Sequence, residues 1–293
     1  MERAKGILYA ALSSSTFGLA PLFTLLLLGL GYSSFEVLSY RWGVASLFLG
    51  ALALLAGRSF RLSWPELRTV FFLSLFRAAT SLSLVIAYQH IASGVASTIH
   101  FMYPLAVALA MMCFFREKGS VWVFAAIGMS IVGAVLLSLG NVDFTRGNTT
   151  LGMVSAAVSV VSYGGYIVGV RKSRAVGIDS TVLTCYVMGL GALYFIAGGL
   201  VTGGIRIETD GTAWLCILGV ALPATAVSNM TLVQAIKRIG PTLTSVFGAL
   251  EPLTAVVIGV AVFGEPFTVQ GAAGILLIVA AFLKMLLYMR AYG

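Results

Sequence analysis

Residues 63–89 read SWPELRTVFFLSLFRAATSLSLVIAYQ. Ser63 can cap a helix, Glu66 can close a capping box, and Pro65 is tolerated in a first turn. Trp64 suits the headgroup level of a bilayer. More than 20 mostly apolar residues follow, enough for a helix to cross the hydrocarbon core at about 1.5 Å per residue. The apolar character is continuous and does not alternate every second residue, so the segment reads as a helix and not as a barrel strand. One arginine, Arg77, sits in its middle.

Nine further stretches have the same character, at 5–30, 34–57, 94–115, 119–140, 150–170, 180–203, 211–236, 241–263 and 268–290. Of the 293 residues 59% are hydrophobic and 10% charged, and the mean hydropathy is +1.02. A water-soluble domain carries about 25% charged residues, so bilayer lipid is the expected solvent. The fold class expected is all-α integral membrane, with ten transmembrane helices. Connections are short and leave no room for a soluble catalytic or nucleotide-binding module. The N-terminal run, behind Arg3 and Lys5, ends without a small-x-small cleavage pattern and reads as the first spanning helix and not as a leader.

The chain also repeats itself weakly. Gly6, Ala10, Ser13, Gly18, Tyr40 and Gly43 match Gly152, Ala156, Ser159, Gly164, Tyr186 and Gly189 at an offset of 146. Ile91, Ser97, Pro104, Phe115 and Glu117 match Ile239, Ser245, Pro252, Phe263 and Glu265 at an offset of 148. Weak symmetry between hydrophobic halves is the mark of a secondary transporter, with its site between the halves near the midplane. The expected organisation is a five-helix repeat over 1–146 and a second over 147–293, forming one transmembrane domain.

The net charge of +8 carries topology and not nucleic-acid binding. With the N-terminus in the cytoplasm, 14 of the 18 Lys and Arg residues fall at cytoplasmic helix ends, Arg58, Arg61, Arg171 and Lys172 among them. Only Arg146 and Arg206 lie outside. The positive-inside rule then places both termini in the cytoplasm, and an odd number of helices per half inverts one half relative to the other. A multi-pass protein of the cell's inner (plasma) membrane is expected. Cys113, Cys185 and Cys216 are isolated in apolar helices and read as small buried hydrophobes. Asn148-Thr149-Thr150 is formally a glycosylation sequon.

Few ionisable groups fall within the hydrocarbon: Arg41, Arg77, His100 and Glu251. Arg77 and Glu251 lie about 15 Å from the cytoplasmic side, and Arg41 and His100 about 9–10 Å below the outer surface. A bare charge at the bilayer centre costs at least ~2.5 kcal/mol, so these groups must face a wet cavity or one another. Two readings stand: Arg41 or Arg77 meets an anionic substrate group and Glu251 a cationic one, or Arg77 and Glu251 form a structural ion pair. Glu36 is a second structural partner for Arg41, and His100 is either a satisfied hydrogen-bonder or a proton carrier.

Prolines at Pro21, Pro104, Pro223 and Pro252 interrupt four of the helices, two of them at repeat-related places, so gating hinges or plain packing kinks are expected there. Polar residues form stripes on the first, fourth, sixth, eighth and ninth stretches, including Ser13, Ser97, Asn229 and Ser245. Phe17, Tyr40, Tyr103 and Tyr163 lie on the same faces. Small-residue pairs such as Gly165 and Gly169 fit close helix packing within the bundle, and a homodimer face is the alternative to a monomer. No phosphate-cradling loop and no hydrolase or zinc motif occurs, so no enzyme, cofactor or metal is expected. The expected partners are a small-molecule substrate and membrane lipid.

These residues resemble the drug/metabolite transporter superfamily, and specifically its EamA-type ten-helix permeases, over nearly the whole chain. The resemblance rests on Tyr40-Arg41-Trp42, Ala87-Tyr88, Ala96-Ser97 with Pro104, and Arg116-Glu117. In the second half it rests on Glu251-Pro252, Gly264-Glu265, Gln270 and Gly271 with Gly274. Lys118-Gly119 departs from the second copy, which has Pro266-Phe267. The resemblance implies paired inverted five-helix repeats, a central cavity lined by the first four helices of each, and alternating access. Overall similarity points within the family toward YddG-type exporters of aromatic and other amino acids. The function expected is export of small metabolites, amino acids including aromatic ones. A lipophilic-cation proton antiporter, and from another class a channel or intramembrane enzyme, are the alternatives.

Overall fold

The computed structural model describes residues 2–138, 147–254, 257 and 268–292. The described residues form helices joined by short turns, with no sheet among them. Helix α1 (Glu2–Phe17) breaks before α2 (Ala20–Gly29), and a turn leads into α3 (Ser34–Leu55) and α4 (Trp64–His90). Then come α5 (Ser93–His100), α6 (Tyr103–Phe115) and α7 (Val121–Ser138). The second half holds α8 (Thr149–Lys172), α9 (Ser180–Thr202), α10 (Gly211–Ala221), α11 (Ser228–Ile239), α12 (Pro241–Val246) and α13 (Val269–Tyr292).

Seven helical segments among the described residues are long and apolar enough to cross a bilayer, beginning with Glu2–Gly29 and ending with Gly211–Ile239. Shorter apolar helices lie at Val121–Leu136 and Val269–Ala281. This is an all-α, multi-span membrane fold. The stretch expected at 241–263 is described only to 254 and at 257. The expected helix stop at Gly140-Asn141 and the motif residues Gly264-Glu265 lie outside the described residues. The outer faces carry large apolar side chains, such as Leu47, Phe72, Phe114 and Val161. An apolar groove of about 680 Å³ runs between α4 and α8, lined by Phe72, Phe76, Val158 and neighbours.

Local sequence sets the helix ends. Ser33 and Glu36 form a reciprocal capping box at α3, and the Ser63 amide donates to Glu66 at 2.7 Å to open α4. Gly57 takes a positive φ of 64° just past α3, the left-handed geometry glycine permits at a helix end. Asn148 of the sequon caps α8 by accepting from the Leu151 amide at 3.0 Å.

Each expected proline break falls at an interruption. Pro21 opens α2 after the α1 break, and Pro104 opens α6 after α5 ends. Pro223 lies in a π-helical turn, Leu222–Val227. Pro252 follows a 3₁₀ turn at Phe247–Ala249.

The most extensive helix pairings are α3 with α9, α4 with α8, α7 with α13, and α1 with α11. Close approaches at small residues knit them. A Cβ on Gly6 would stand 2.5 Å from Ile239 Cγ2, and one on Gly152 2.7 Å from Ile91 Cγ2. Gly165 and Gly169 face Phe76 and Leu73 across the α4–α8 contact, and Gly133 faces the Gly274 carbonyl across α7–α13. The small-residue pairs thus serve packing within one chain.

Candidate functional site

Polar and aromatic groups from both halves meet around Phe17 at the C-terminal end of α1. The Arg41 guanidinium carbon lies 5.8 Å from the Phe17 ring centroid, and that of Arg77 lies 5.4 Å from it. Both arginines are buried, 4% and 1% exposed. Arg77 also lies over Tyr163 at 5.0 Å, Tyr166 at 5.9 Å and Trp42 at 6.0 Å. Phe17 stacks on Tyr163, with centroids 6.2 Å apart. An aromatic box of this kind stabilises a guanidinium through ring quadrupoles once water is excluded.

The π-helical turn positions both arginines. Thr225 Oγ1 donates to the Val220 carbonyl five residues back, at 2.7 Å, and accepts from Arg41 Nε at 2.6 Å. One turn on, Asn229 donates through Nδ2 to the Thr225 carbonyl at 2.7 Å and accepts at Oδ1 from Arg77 Nε at 2.8 Å. Arg77 Nη1 reaches Ser81 Oγ at 3.4 Å, while the buried Arg41 Nη2 has no hydrogen-bond partner. Single-turn π insertions inside α-helices recur at functional sites because they re-aim side chains without ending the helix. Nearby, Ser13 Oγ donates to the Ser228 carbonyl at 2.8 Å, tying α1 to α11.

Phe17 shares a second cluster with the carboxylate of Glu251. Tyr103 donates to Glu251 Oε1 at 3.1 Å. It can do so because residue 248 is glycine: a Cβ there would stand 1.7 Å from Tyr103 Oη. A cavity of about 30 Å³ is lined by Phe17, Tyr88, Ser97, His100, Glu251 and Pro252, with Gly18, Pro21, Leu84 and Phe101. That is the room of about one water molecule, too small for a metabolite. His100 is held by Ser159 at 2.8 Å through Nδ1 and stacks on Tyr163 at 5.3 Å, and its Nε2 is buried without a partner. Tyr88 and Ser97 are linked at 3.3 Å.

The structure thus gathers Ser13, Phe17, Arg41, Arg77, Ser97, His100, Tyr103, Tyr163, Asn229 and Glu251 around one centre. Tyr40 and Ser245 are placed differently. Tyr40 donates to the Arg206 carbonyl and accepts from the Glu208 amide, in the turn after α9. Ser245 donates to the Thr242 carbonyl of its own helix at 2.8 Å. Neither structural ion pair weighed from sequence forms. The ion pairs among the described residues are Lys5–Glu2, Arg58–Asp179, Arg206–Glu36 and Arg238–Glu2. Glu36 therefore pairs with Arg206 and not with Arg41, and Arg77 and Glu251 are not in contact. Thr225 and Ser81 are partners that sequence reasoning missed. The five-residue hydrogen bond of Thr225 shifts it off the ordinary helical register, and Pro223 two residues earlier was its only signal.

A family model described as the EamA-like transporter family matches residues 4–139 and, separately, 150–287. The chain is similar to "Uncharacterized transporter YojE" of Bacillus subtilis, 27% identical over 91% of this chain and 88% of the relative. It is also similar to an "Uncharacterized transporter" of Archaeoglobus fulgidus, 25% identical over 81% of this chain and 83% of the relative. A solved crystal structure superposes over 100% of this chain and 99% of its own with a TM-score of 0.80 at 20% identity, a likeness of fold.

Proposed function

The chain belongs to the EamA-like transporter family, and from that premise we propose that it exports small metabolites, amino acids including aromatic ones, across the inner membrane by alternating access. The observation that carries this reading is that Phe17 lies under the buried Arg41 and Arg77 guanidinium groups and also lines, with Glu251 of the other half, a cavity of about 30 Å³. Charged groups kept inside a spanning bundle mark a substrate path. The Phe17, Tyr163 and Tyr103 rings give an apolar or aromatic side chain surfaces to pack on.

The architecture proposed is two inverted five-helix repeats, 1–146 and 147–293, with both termini cytoplasmic. Four observations support it. The family model matches each half on its own. Exchanging the halves maps the α3–α9 and α7–α13 pairings onto themselves and swaps α4–α8 with α1–α11. The Gly6–Ile239 and Gly152–Ile91 approaches are counterparts under the same exchange. Lys and Arg residues gather at the ends that this topology places in the cytoplasm. Rocking of the halves about the breaks at Pro21, Pro104, Pro223 and Pro252 would open the cavity to one side at a time.

Counterflow in proteoliposomes tests the reading. Liposomes preloaded with unlabelled phenylalanine, tryptophan, threonine or methionine should accumulate the labelled form transiently, as a carrier requires and a channel does not allow. Absence of movement for all four would remove amino acids as substrates.

A further inference from the structure

We infer that the carrier grips its substrate by a carboxylate held between Arg41 and Arg77, and that a substrate amine is dispensable. The inference rests on the carrier reading above and narrows it to an anion-selective site.

Charge balance argues first. The partners of the two guanidinium groups are all neutral: the Thr225 hydroxyl, the Asn229 amide oxygen and the Ser81 hydroxyl. No carboxylate of the described residues lies within ion-pair distance of either arginine, and the four ion pairs present are elsewhere. Glu251 takes its hydrogen bond from Tyr103 and pairs with neither arginine. With Arg41, Arg77 and Glu251 ionised, the buried centre carries one surplus positive charge. A monoanion cancels it, a zwitterion leaves it, and an organic cation adds to it. In a low-dielectric bundle the cancelled arrangement is favoured.

Geometry argues the same way. Thr225 and Asn229 occupy only the Nε positions, and both are fixed from behind by bonds to the backbone carbonyls of Val220 and Thr225. That leaves the terminal nitrogens as donors. Arg41 Nη2 is buried and unpartnered, and the Arg77 Nη1 bond to Ser81 is long at 3.4 Å. A forked guanidinium donor matches a carboxylate better than any other common group. Phe17, within 6 Å of both guanidinium carbons, supplies the face on which an apolar body would lie.

Pairs of ligands sharing a skeleton separate the terms. The purified protein is heated with 3-phenylpropionate, phenylalanine or phenethylamine, and with acetate, benzoate and succinate set against ethylamine, benzylamine and 1,4-diaminobutane. Carboxylates should raise the melting temperature and the amines should not. 3-Phenylpropionate should act at concentrations no higher than phenylalanine. Arg41→Lys and Arg77→Lys should each weaken the carboxylate effect at least tenfold. Asn229→Asp loses the Nδ2 bond to the Thr225 carbonyl but places a carboxylate against Arg77, so carboxylates should no longer stabilise the folded variant; a merely structural Asn229 would leave that stabilisation in place. Stabilisation by the amines, by neither class, or by carboxylates equally in Asn229→Asp, would overturn the inference. Failure of the amino-acid reading is seen separately: 3-phenylpropionate would bind while phenylalanine showed no counterflow.

Discussion

The Tyr186 hydroxyl donates to the Phe60 carbonyl at 2.9 Å, and Tyr40, its counterpart 146 residues earlier, donates to the Arg206 carbonyl, 146 residues after Phe60. Each tyrosine thus straps the turn that follows the corresponding helix of the other half. Both straps sit on the α3–α9 pair, one at each end of it. Each tyrosine also meets a ring edge-on at 5.9 Å, Trp214 for Tyr40 and Phe60 for Tyr186. Around Tyr40 the strap is reinforced by the Arg206–Glu36 ion pair at 3.1 Å and by Arg206 over the Tyr32 ring at 4.0 Å. α3 and α9 are therefore fastened to each other at both ends.

Removing either hydroxyl keeps the ring contact; it deletes one hydrogen bond at Tyr186 and two at Tyr40. Tyr186→Phe should cost about 0.5–1.5 kcal/mol and Tyr40→Phe more than that, with the double variant near the sum because the sites are far apart. Denaturant titration of the purified protein in detergent measures this. A neutral double variant would show that the straps hold nothing.

Glycine spacing makes a sharper test of packing. Gly248→Ala and Gly191→Ala should each destabilise by about 1–3 kcal/mol, because a Cβ at 191 would stand 2.1 Å from the Trp42 ring. Gly43→Ala should be harmless, since its Cβ would enter open space. Gly248→Ala should also cut transport, by pushing Tyr103 off Glu251. Unfolding curves and counterflow on the same three preparations decide it. A Gly248→Ala protein as stable and active as the parent would contradict the Tyr103–Glu251 geometry.

The proposed topology places the turn at 56–63 and the turn at 203–210 on opposite faces of the membrane. Ser59→Cys should react with an impermeant maleimide only from the cytoplasmic side, and Thr209→Cys only from outside. Both positions are exposed. Reaction of both from one side would exclude two inverted repeats.

Much of this was legible in the chain itself. Apolar runs located the spanning helices because lipid forces backbone groups to pair within a segment. Ser63-Trp64-Pro65-Glu66 fixed the start of α4 because capping is local chemistry. Arg41, Arg77, His100 and Glu251 stood out as candidates because burying them in lipid is costly. What failed was everything that depends on a partner from elsewhere in the chain. Tyr40 is next to Arg41 in the chain, yet its hydroxyl goes to the 203–210 turn. Glu36 lies near Arg41 along the helix, yet Arg206 reaches it from the other half. Thr225 was invisible because a π-helical turn breaks the 3.6-residue period on which any stripe argument depends.

The central claim is a single cavity between the halves, opened to each side in turn, and Ser97 on its wall allows that to be measured directly. With Cys113, Cys185 and Cys216 replaced by serine, Ser97→Cys in oriented vesicles is exposed to an impermeant thiol reagent from one face and then from the other. The account predicts reaction from both faces, each slowed by phenylalanine or 3-phenylpropionate. Reaction from one face only, or from both at rates neither compound alters, would contradict it.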